Sequence, residues 1–264
     1  MTLEALNEFV RDMRTALENL PESGKLSLSD GQFAQFAQFY EDMLEKNQVM
    51  NLTGITERRE VIVKNYIDRL LPACLLPDFP RTGTRLLDLG SGAGFPGIPL
   101  ASVFPNLHLT LMDSLNKRIV YLTDEIAKLG LQDHTVALHA RAEELARQTG
   151  QREAYDYCSS RAVARLVVLS EYCLPFVKVG GQMLAYKAGE IEEELSEAQF
   201  AIKKLGGKTD QVVSFSLPDD AGKRSLVVIR KIKETPRIYP RKAGMPTKAP
   251  DAEIKSNVCR SGLF

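Results

Sequence analysis

Little in this chain is available for redox or metal chemistry. Its four cysteines, Cys74, Cys158, Cys173 and Cys259, show no CxxC spacing and have no histidine cluster nearby. Neither a disulfide framework nor a thiolate metal site is therefore expected. The three histidines, His108, His134 and His139, lack metal-site spacing, so structural roles and no bound metal are expected. No apolar run approaches the ~18 residues of a membrane span. Residues 1–8 contain neither a basic nor an apolar stretch, so no signal peptide is visible and a cytoplasmic protein is expected. Net charge is missing too, since 34 Lys/Arg balance 34 Asp/Glu over 264 residues. That balance hides a gradient. Residues 1–60 hold 6 basic against 11 acidic side chains, while residues 203–248 hold 12 against 4, marking the latter as a candidate polyanion footprint.

What is present centres on residues 85–97. Arg85 to Leu89 is a short apolar run bounded by turn residues and reads as a buried strand. Gly90, Gly92 and Gly94 then let the backbone turn sharply and approach a ligand without intervening side chains. Pro96 suits the first turn of the helix that follows. This is the first βα unit of a nucleotide-binding α/β sheet, with its ligand outside the carboxyl end of the strand. Gly92-x-Gly94-x-x-Gly97 spells a dinucleotide fingerprint, with Asp113 as its ribose carboxylate. Asp88-x-Gly90-x-Gly92-x-Gly94 equally spells the first motif of S-adenosylmethionine (SAM) methyltransferases. Strand phasing favours SAM, because the apolar run ends one residue before Gly90. Asp88 suits it as well, since SAM carries an ammonium and a sulfonium and no pyrophosphate.

The remaining chain fits that reading. Apolar periodicity predicts helices over 3–20, from a Ser29–Gln32 capping box onward, and over about 57–75, with a break at 21–25 and with Pro77 and Pro80 closing the cap. Leu107 to Met112 is a strand ending at Asp113, where a carboxylate could accept both ribose hydroxyls of a nucleoside. A helix over 114–130, a strand over 135–139 and a short helix from Ala142 follow. The adenine edge would meet the backbone near Ala142 and Glu143. After the fourth strand, from Tyr155, helices over 165–178 and 191–205 flank a strand over 182–186 closed by Lys187. Runs at 212–217 and 225–229, joined only by a turn, must pair antiparallel. Residues 236–248 are proline-spaced, basic and expected to be extended, and the tail beyond 250 shows no periodicity. The expected fold is a Rossmann-like class I SAM-dependent methyltransferase: a seven-stranded sheet with a terminal antiparallel hairpin and an N-terminal helical cap. The divisions are a cap at 1–80, a methyltransferase domain at 81–235 and a basic extension at 236–264.

The exit of the fourth strand is informative for what it lacks. There is no Asn/Asp-Pro-Pro-aromatic tetrad of amino-group methyltransferases, and Cys158 has no preceding Pro as a cytosine-C5 nucleophile would. Arg161 and Lys187, at the ends of adjacent strands, are the candidate catalytic residues. No acid–base pair is recognisable.

Taken in order, residues 51–56 (Asn-Leu-Thr-Gly-Ile-Thr), 88–101, Asp113-Ser114-Leu115-x-Lys117-Arg118, Ser160-Arg161-Ala162 and Tyr239-Pro240-Arg241-x-x-Gly244-x-Pro246 resemble the signatures of the RsmG (GidB) family, bacterial 16S rRNA guanine-N7 methyltransferases. The resemblance covers roughly residues 30–250. It implies SAM contacts at Gly90, Phe95, Ala142, Glu143 and Arg161, and methylation of guanine 527 in the 530 loop, giving S-adenosyl-L-homocysteine as by-product. Asp88, Gly92, Gly94 and Asp113 complete the expected cofactor set. Expected partners are 16S rRNA and the 30S subunit, with a monomer and no membrane. The chain departs from the family's His-x-x-Asp-Ser-Leu pattern, reading Asn65-Tyr66-Ile67-Asp68-Arg69-Leu70. Rival readings are a small-molecule SAM methyltransferase, an RNA-binding module with a vestigial fold and an NAD-dependent oxidoreductase. The basic terminus, the intact glycine loop and the strand phasing respectively disfavour them.

Overall fold

A computed structural model describes residues 2–20, 26–76, 79–80, 83–161 and 164–251. The expected break at 21–25, Pro77, Ala162 and the tail from 252 with Cys259 lie outside the described residues. Helix α1 (Leu3–Glu18) opens at Thr2, whose hydroxyl accepts from the Ala5 amide. Helix α2 (Asp30–Met50) opens on the capping box, with the Ser29 hydroxyl and the Gln32 side chain each accepting from the other's backbone amide. The helix expected over 57–75 is present in three parts. Glu57 caps α3 (Arg58–Val61), a π-helical stretch follows (Ile62–Ile67), and α4 (Asp68–Leu75) completes it. Reading a single 3.6-residue period misses the widened turn, a feature frequent at functional sites.

The sheet contains β1 (Arg85–Leu89), β2 (His108–Asp113), β3 (Thr135–His139), β4 (Tyr155–Arg161), β5 (Val177–Ala188), β6 (Gly207–Ser216) and β7 (Lys223–Lys231). Its order is β3-β2-β1-β4-β5-β7-β6, with β7 antiparallel to both neighbours. That is the class I methyltransferase arrangement. Helices α5 (Gly97–Val103), α6 (Asn116–Lys128), α7 (Ala142–Leu145), α8 (Leu166–Cys173) and α9 (Glu192–Lys204) cover it. Period-two alternation sorts the strands between two apolar clusters. Leu86, Leu109, Leu111 and Tyr157 join α1, α2, α4 and α6 on one side. Leu87, Met112, Cys158 and Met183 join α8 and α9 on the other. The helical cap therefore shares a core with one face of the sheet.

Several boundaries differ from the sequence reading. The helix expected over 165–178 ends at Cys173 in a 3₁₀ turn, Leu174–Phe176, at Pro175. β5 begins at Val177, before Gly180 and Gly181, and β6 begins at Gly207.

The segment 236–248, expected to be extended, folds back on the domain. It turns at Tyr239, whose amide donates to the Pro236 carbonyl at 2.9 Å, and ends in α10 (Met245–Lys248). Tyr239 is buried, and Arg152 donates to its carbonyl at 2.9 Å and to that of Thr235 at 2.7 Å. Arg241 pairs with Glu171 of α8 at 2.6 Å. Glu171 is buried and needs a compensating charge, which Arg241 supplies. Much of the basic stretch is likewise paired internally, as Arg224 with Asp68, Arg230 with Asp210 and Lys231 with Glu153. Among the described residues of 203–248, Lys203, Lys208, Lys223, Lys233, Arg237, Lys242 and Lys248 are exposed and in no ion pair.

One acid is held at a cost between cap and sheet. Glu125 of α6 is fully buried beside Asp42 of α2 and Lys128, and its Oε2 has no hydrogen-bond partner. Burial, then Asp42, raise its pKa to about 7. A raised acid contributes stability below its ordinary value near 4.5, and that contribution is lost as pH rises through about 7. Glu125→Gln should therefore melt above wild type at pH 8, with the gap closing towards pH 4.5. Thermal unfolding across that range checks this, and a pH-independent gap would refute it.

Candidate active site

The order of strands reverses between β1 and β4, and the crevice outside their carboxyl ends is where such sheets bind ligands. There the glycine loop is pinned to β2. Gly90 and Ser91 amides donate to the Met112 carbonyl at 2.8 and 3.0 Å. The Gly92 amide donates to Asp113 Oδ2 at 3.0 Å. Gly90 and Gly92 have φ of 78° and 58°, values that favour glycine. Asp113 also accepts from the Leu115 amide at 2.9 Å and from Arg118 at 3.2 Å. Three of roughly four acceptor positions on this carboxylate are taken. The expectation that it accepts both ribose hydroxyls narrows accordingly to about one further donor.

A cavity of about 350 Å³ opens at this point. Gly90, Asp113, Ala142, Glu143 and Arg161, all singled out in the sequence, line it together. Arg118 and Tyr172 line it as well. Arg118 stands in the quoted Asp113–Arg118 motif, but nothing local marks Tyr172, which arrives from α8.

Asp88, Gly92, Gly94 and Phe95 lie behind the lining. Asp88 is buried and accepts from Ser159 Oγ at 3.1 Å, while its Oδ2 has no hydrogen-bond partner. Burial raises its pKa to about 6. A Cβ on Gly97 would stand 3.0 Å from that oxygen and 2.1 Å from Leu111. Gly94 has φ 100°, and a Cβ there would meet Ile98 at 2.9 Å and Phe39 at 3.0 Å. The Phe95 ring lies 5.0 Å from that of Phe39 and 5.3 Å from that of Tyr66. These residues fasten the loop to the helical cap.

Arg161 has a second outlook. It also lines a neighbouring cavity of about 400 Å³, with Asp68, Arg69, Tyr186, Lys187 and Arg224. Its Nη1 donates to Asn65 Oδ1 at 3.1 Å, so the π-helical stretch holds the guanidinium in place. Lys187 lines only the second cavity. Its ammonium is engaged by Glu194 at 2.6 Å and by the Ala164 carbonyl at 2.9 Å. Two of the histidines meet backbone, with His134 Nε2 at 3.3 Å from the Ala101 carbonyl and His139 Nε2 at 3.1 Å from that of Ser114. Among the described residues, no group of three or more His, Cys, Asp or Glu could hold a metal ion, and no helix is long and apolar enough to cross a membrane.

The family model GidB, rRNA small subunit methyltransferase G, matches residues 32–227. The chain belongs to that family. It is similar to the ribosomal RNA small subunit methyltransferase G of Lachnoclostridium phytofermentans, 48% identical over 242 residues, covering 91% of this chain and 98% of the relative. The Brevibacillus brevis protein of the same name is 48% identical over 225 residues, covering 85% and 93%. This GidB chain is thus a methyltransferase of the SAM-dependent class, and the oxidoreductase reading is set aside.

Gly92 and Gly94 separate binding from folding. At Gly92 a Cβ would meet only the Gly90 carbonyl oxygen, at 3.8 Å, whereas at Gly94 it would collide with three core side chains. Gly92→Val should lower SAM affinity at least tenfold by calorimetry, because a branched side chain at φ 58° displaces the loop that is tied to Asp113. Gly94→Val, adding overpacking to strain, should lower the melting temperature further. Equal SAM affinity in Gly92→Val would overturn the assignment of the loop.

Proposed function

We propose that this enzyme transfers a methyl group from SAM to N7 of a guanine in 16S rRNA, guanine 527 of the 530 loop, acting in the cytoplasm as a monomer. The observation that carries this reading is Arg161, the wall shared by two adjoining cavities, with no unengaged acid–base pair beside it among the described residues. The names of the relatives support an rRNA substrate.

The first cavity fits SAM. Bare backbone at Gly90, acceptor capacity at Asp113 and a pocket at Ala142 and Glu143 suit an adenosine and a short cationic chain. When bound, SAM supplies an electrophilic methyl carbon, which the N7 lone pair takes while the carbon–sulfur bonding pair stays on sulfur, giving a neutral thioether. N7 carries no proton at neutral pH, so no general base is needed and catalysis reduces to alignment. Gly90, Asp113, Ala142 and Glu143 hold the nucleoside. Asp88, Gly92, Gly94 and Phe95 shape the loop. Arg161, steadied by Asn65, orients the acceptor against the methyl group. Lys187 serves the acceptor side, with its charge balanced by Glu194.

The C-terminal segment has two parts in this reading. Arg241 holds it to α8, the Gly244 amide donates to Glu143 Oε1 at 3.3 Å, and the Tyr172 hydroxyl lies 3.2 Å from Thr247 Oγ1. It therefore buttresses two residues lining the SAM cavity, so cutting it away should affect SAM as well as RNA. The exposed Arg237, Lys242 and Lys248 remain for rRNA phosphates.

Arg237, Lys242 and Lys248 changed together to Ala should reduce the slope of log affinity against log salt by up to about 1 per lost contact, with SAM affinity unchanged. Arg241→Ala should instead weaken SAM binding. An unchanged slope in the triple variant would remove these residues from the RNA surface.

Radiolabelled transfer to naked 16S rRNA and to unmodified 30S subunits tests the reaction itself. Aniline cleavage should map one N7-methylguanine, and Arg161→Ala should slow single-turnover transfer by about 10²-fold or more. The wild-type rate should show no general-base limb between about pH 6 and 8. Label on another atom, or a tenfold rise per pH unit, would refute the mechanism.

A further inference from the structure

The first cavity has an aromatic wall that the proposed reaction leaves without a role. Among the described residues lining that cavity, Tyr172 alone carries an aromatic ring. It is half-buried on α8, so part of its surface is open to the cavity. Helix α8 begins just after the carboxyl end of β4, and long helical side chains lean toward the start of their own helix. The ring therefore leans toward the end of the sheet where the glycine loop lies. Its hydroxyl lies 3.2 Å from Thr247 Oγ1 of α10, which holds the outer end of the side chain.

The neighbours of Tyr172 place it within the cavity. Ala142, Leu145 and Ala146 of α7 share an apolar cluster with Val168 and Leu169 of α8, and Tyr172 packs against that cluster. The C-terminal segment braces the same corner twice, through the Gly244 amide on Glu143 and through Thr247 on Tyr172. Tyr172 thus stands on the side of Ala142 and Glu143. Arg161 marks the other end, because it is the one residue lining both cavities. A methyl group passed to an acceptor must reach that shared wall, which leaves the adenine at the α7 end.

Resting on the reading that the first cavity holds SAM, we propose that Tyr172 is a cofactor-binding residue whose ring stacks on one face of the adenine. The edge of the base meets the backbone at Ala142 and Glu143 in the same arrangement. Every base has a π face, and an aromatic side chain set against it contributes affinity without a hydrogen bond. The Tyr172 hydroxyl, engaged by Thr247, is not needed for the stack.

The chain contains no tryptophan, so Tyr172→Trp introduces a single indole reporter. Its fluorescence should be quenched by S-adenosyl-L-homocysteine and by adenosine, and not by homocysteine, because the stack is to the base. Tyr172→Leu keeps apolar bulk without the π face and should weaken SAM binding about tenfold or more by calorimetry. In turnover that loss should fall on KM for SAM rather than on kcat. Tyr172→Phe keeps the ring and should stay within about threefold of wild type. An indole that does not respond to bound adenosine, or wild-type SAM affinity in Tyr172→Leu, would overturn the proposal. So would a loss in Tyr172→Phe as large as in Tyr172→Leu, which would assign the effect to the Thr247 contact. Should Tyr172→Leu fail to fold, the indole titration decides; should Tyr172→Trp fail, calorimetry of the other two variants does. Failure of the underlying reading shows separately, as unchanged SAM affinity in Gly92→Val.

Discussion

Asp68 is a carboxylate almost sealed from water, and it is tolerable there because two guanidiniums share it. Arg69 comes from its own helix at 2.8 Å and Arg224 from β7 at 3.0 Å. An unpaired charge at that depth would be strongly destabilising, so the cap cannot shift relative to the sheet without exposing the cost. One turn earlier, Asn65 makes the same kind of connection to Arg161 at the end of β4. The helical cap is thereby locked across the carboxyl ends of the strands, and its own residues wall the second cavity.

The glycine loop depends on this lock from the other side. Phe95 stacks among Phe39 and Tyr66, and Gly94 is bare because cap and α6 side chains crowd it. Loop, cap and sheet are thus one packed unit. The C-terminal segment closes it from the far face, where Arg241 neutralises Glu171 and Gly244 meets Glu143. Its basic residues fall into two physically different groups: paired charges that hold the wall of the first cavity, and exposed ones in no ion pair.

Much of the first cavity was legible from residues 85–143, because it is built from short-range patterns. Strand phasing, alternate glycines and an acid at the end of the next strand lie within a few residues of one another. Gly90, Asp113, Ala142 and Glu143 duly meet in one cavity. Arg161 and Lys187, expected at the ends of adjacent strands, lie at the carboxyl ends of β4 and β5. Both reach the second cavity, but Glu194, seven residues later, already holds the ammonium.

By itself, the sequence determined the order of strands and helices, the terminal hairpin, the glycine-rich turn after β1 and the family to which the chain belongs. These follow from periodicity, turn chemistry and local spacing. Only the tertiary structure decided which charges are spent internally and which remain free. The Arg241–Glu171 pair spans 70 residues and the Arg224–Asp68 pair 156, and no local pattern encodes such partners. The widened turn at Ile62–Ile67 was equally out of reach, since a single extra residue per turn barely alters apolar periodicity. Yet that turn carries Asn65, which holds Arg161, and the helix after it carries Asp68 and Arg69, which line the second cavity.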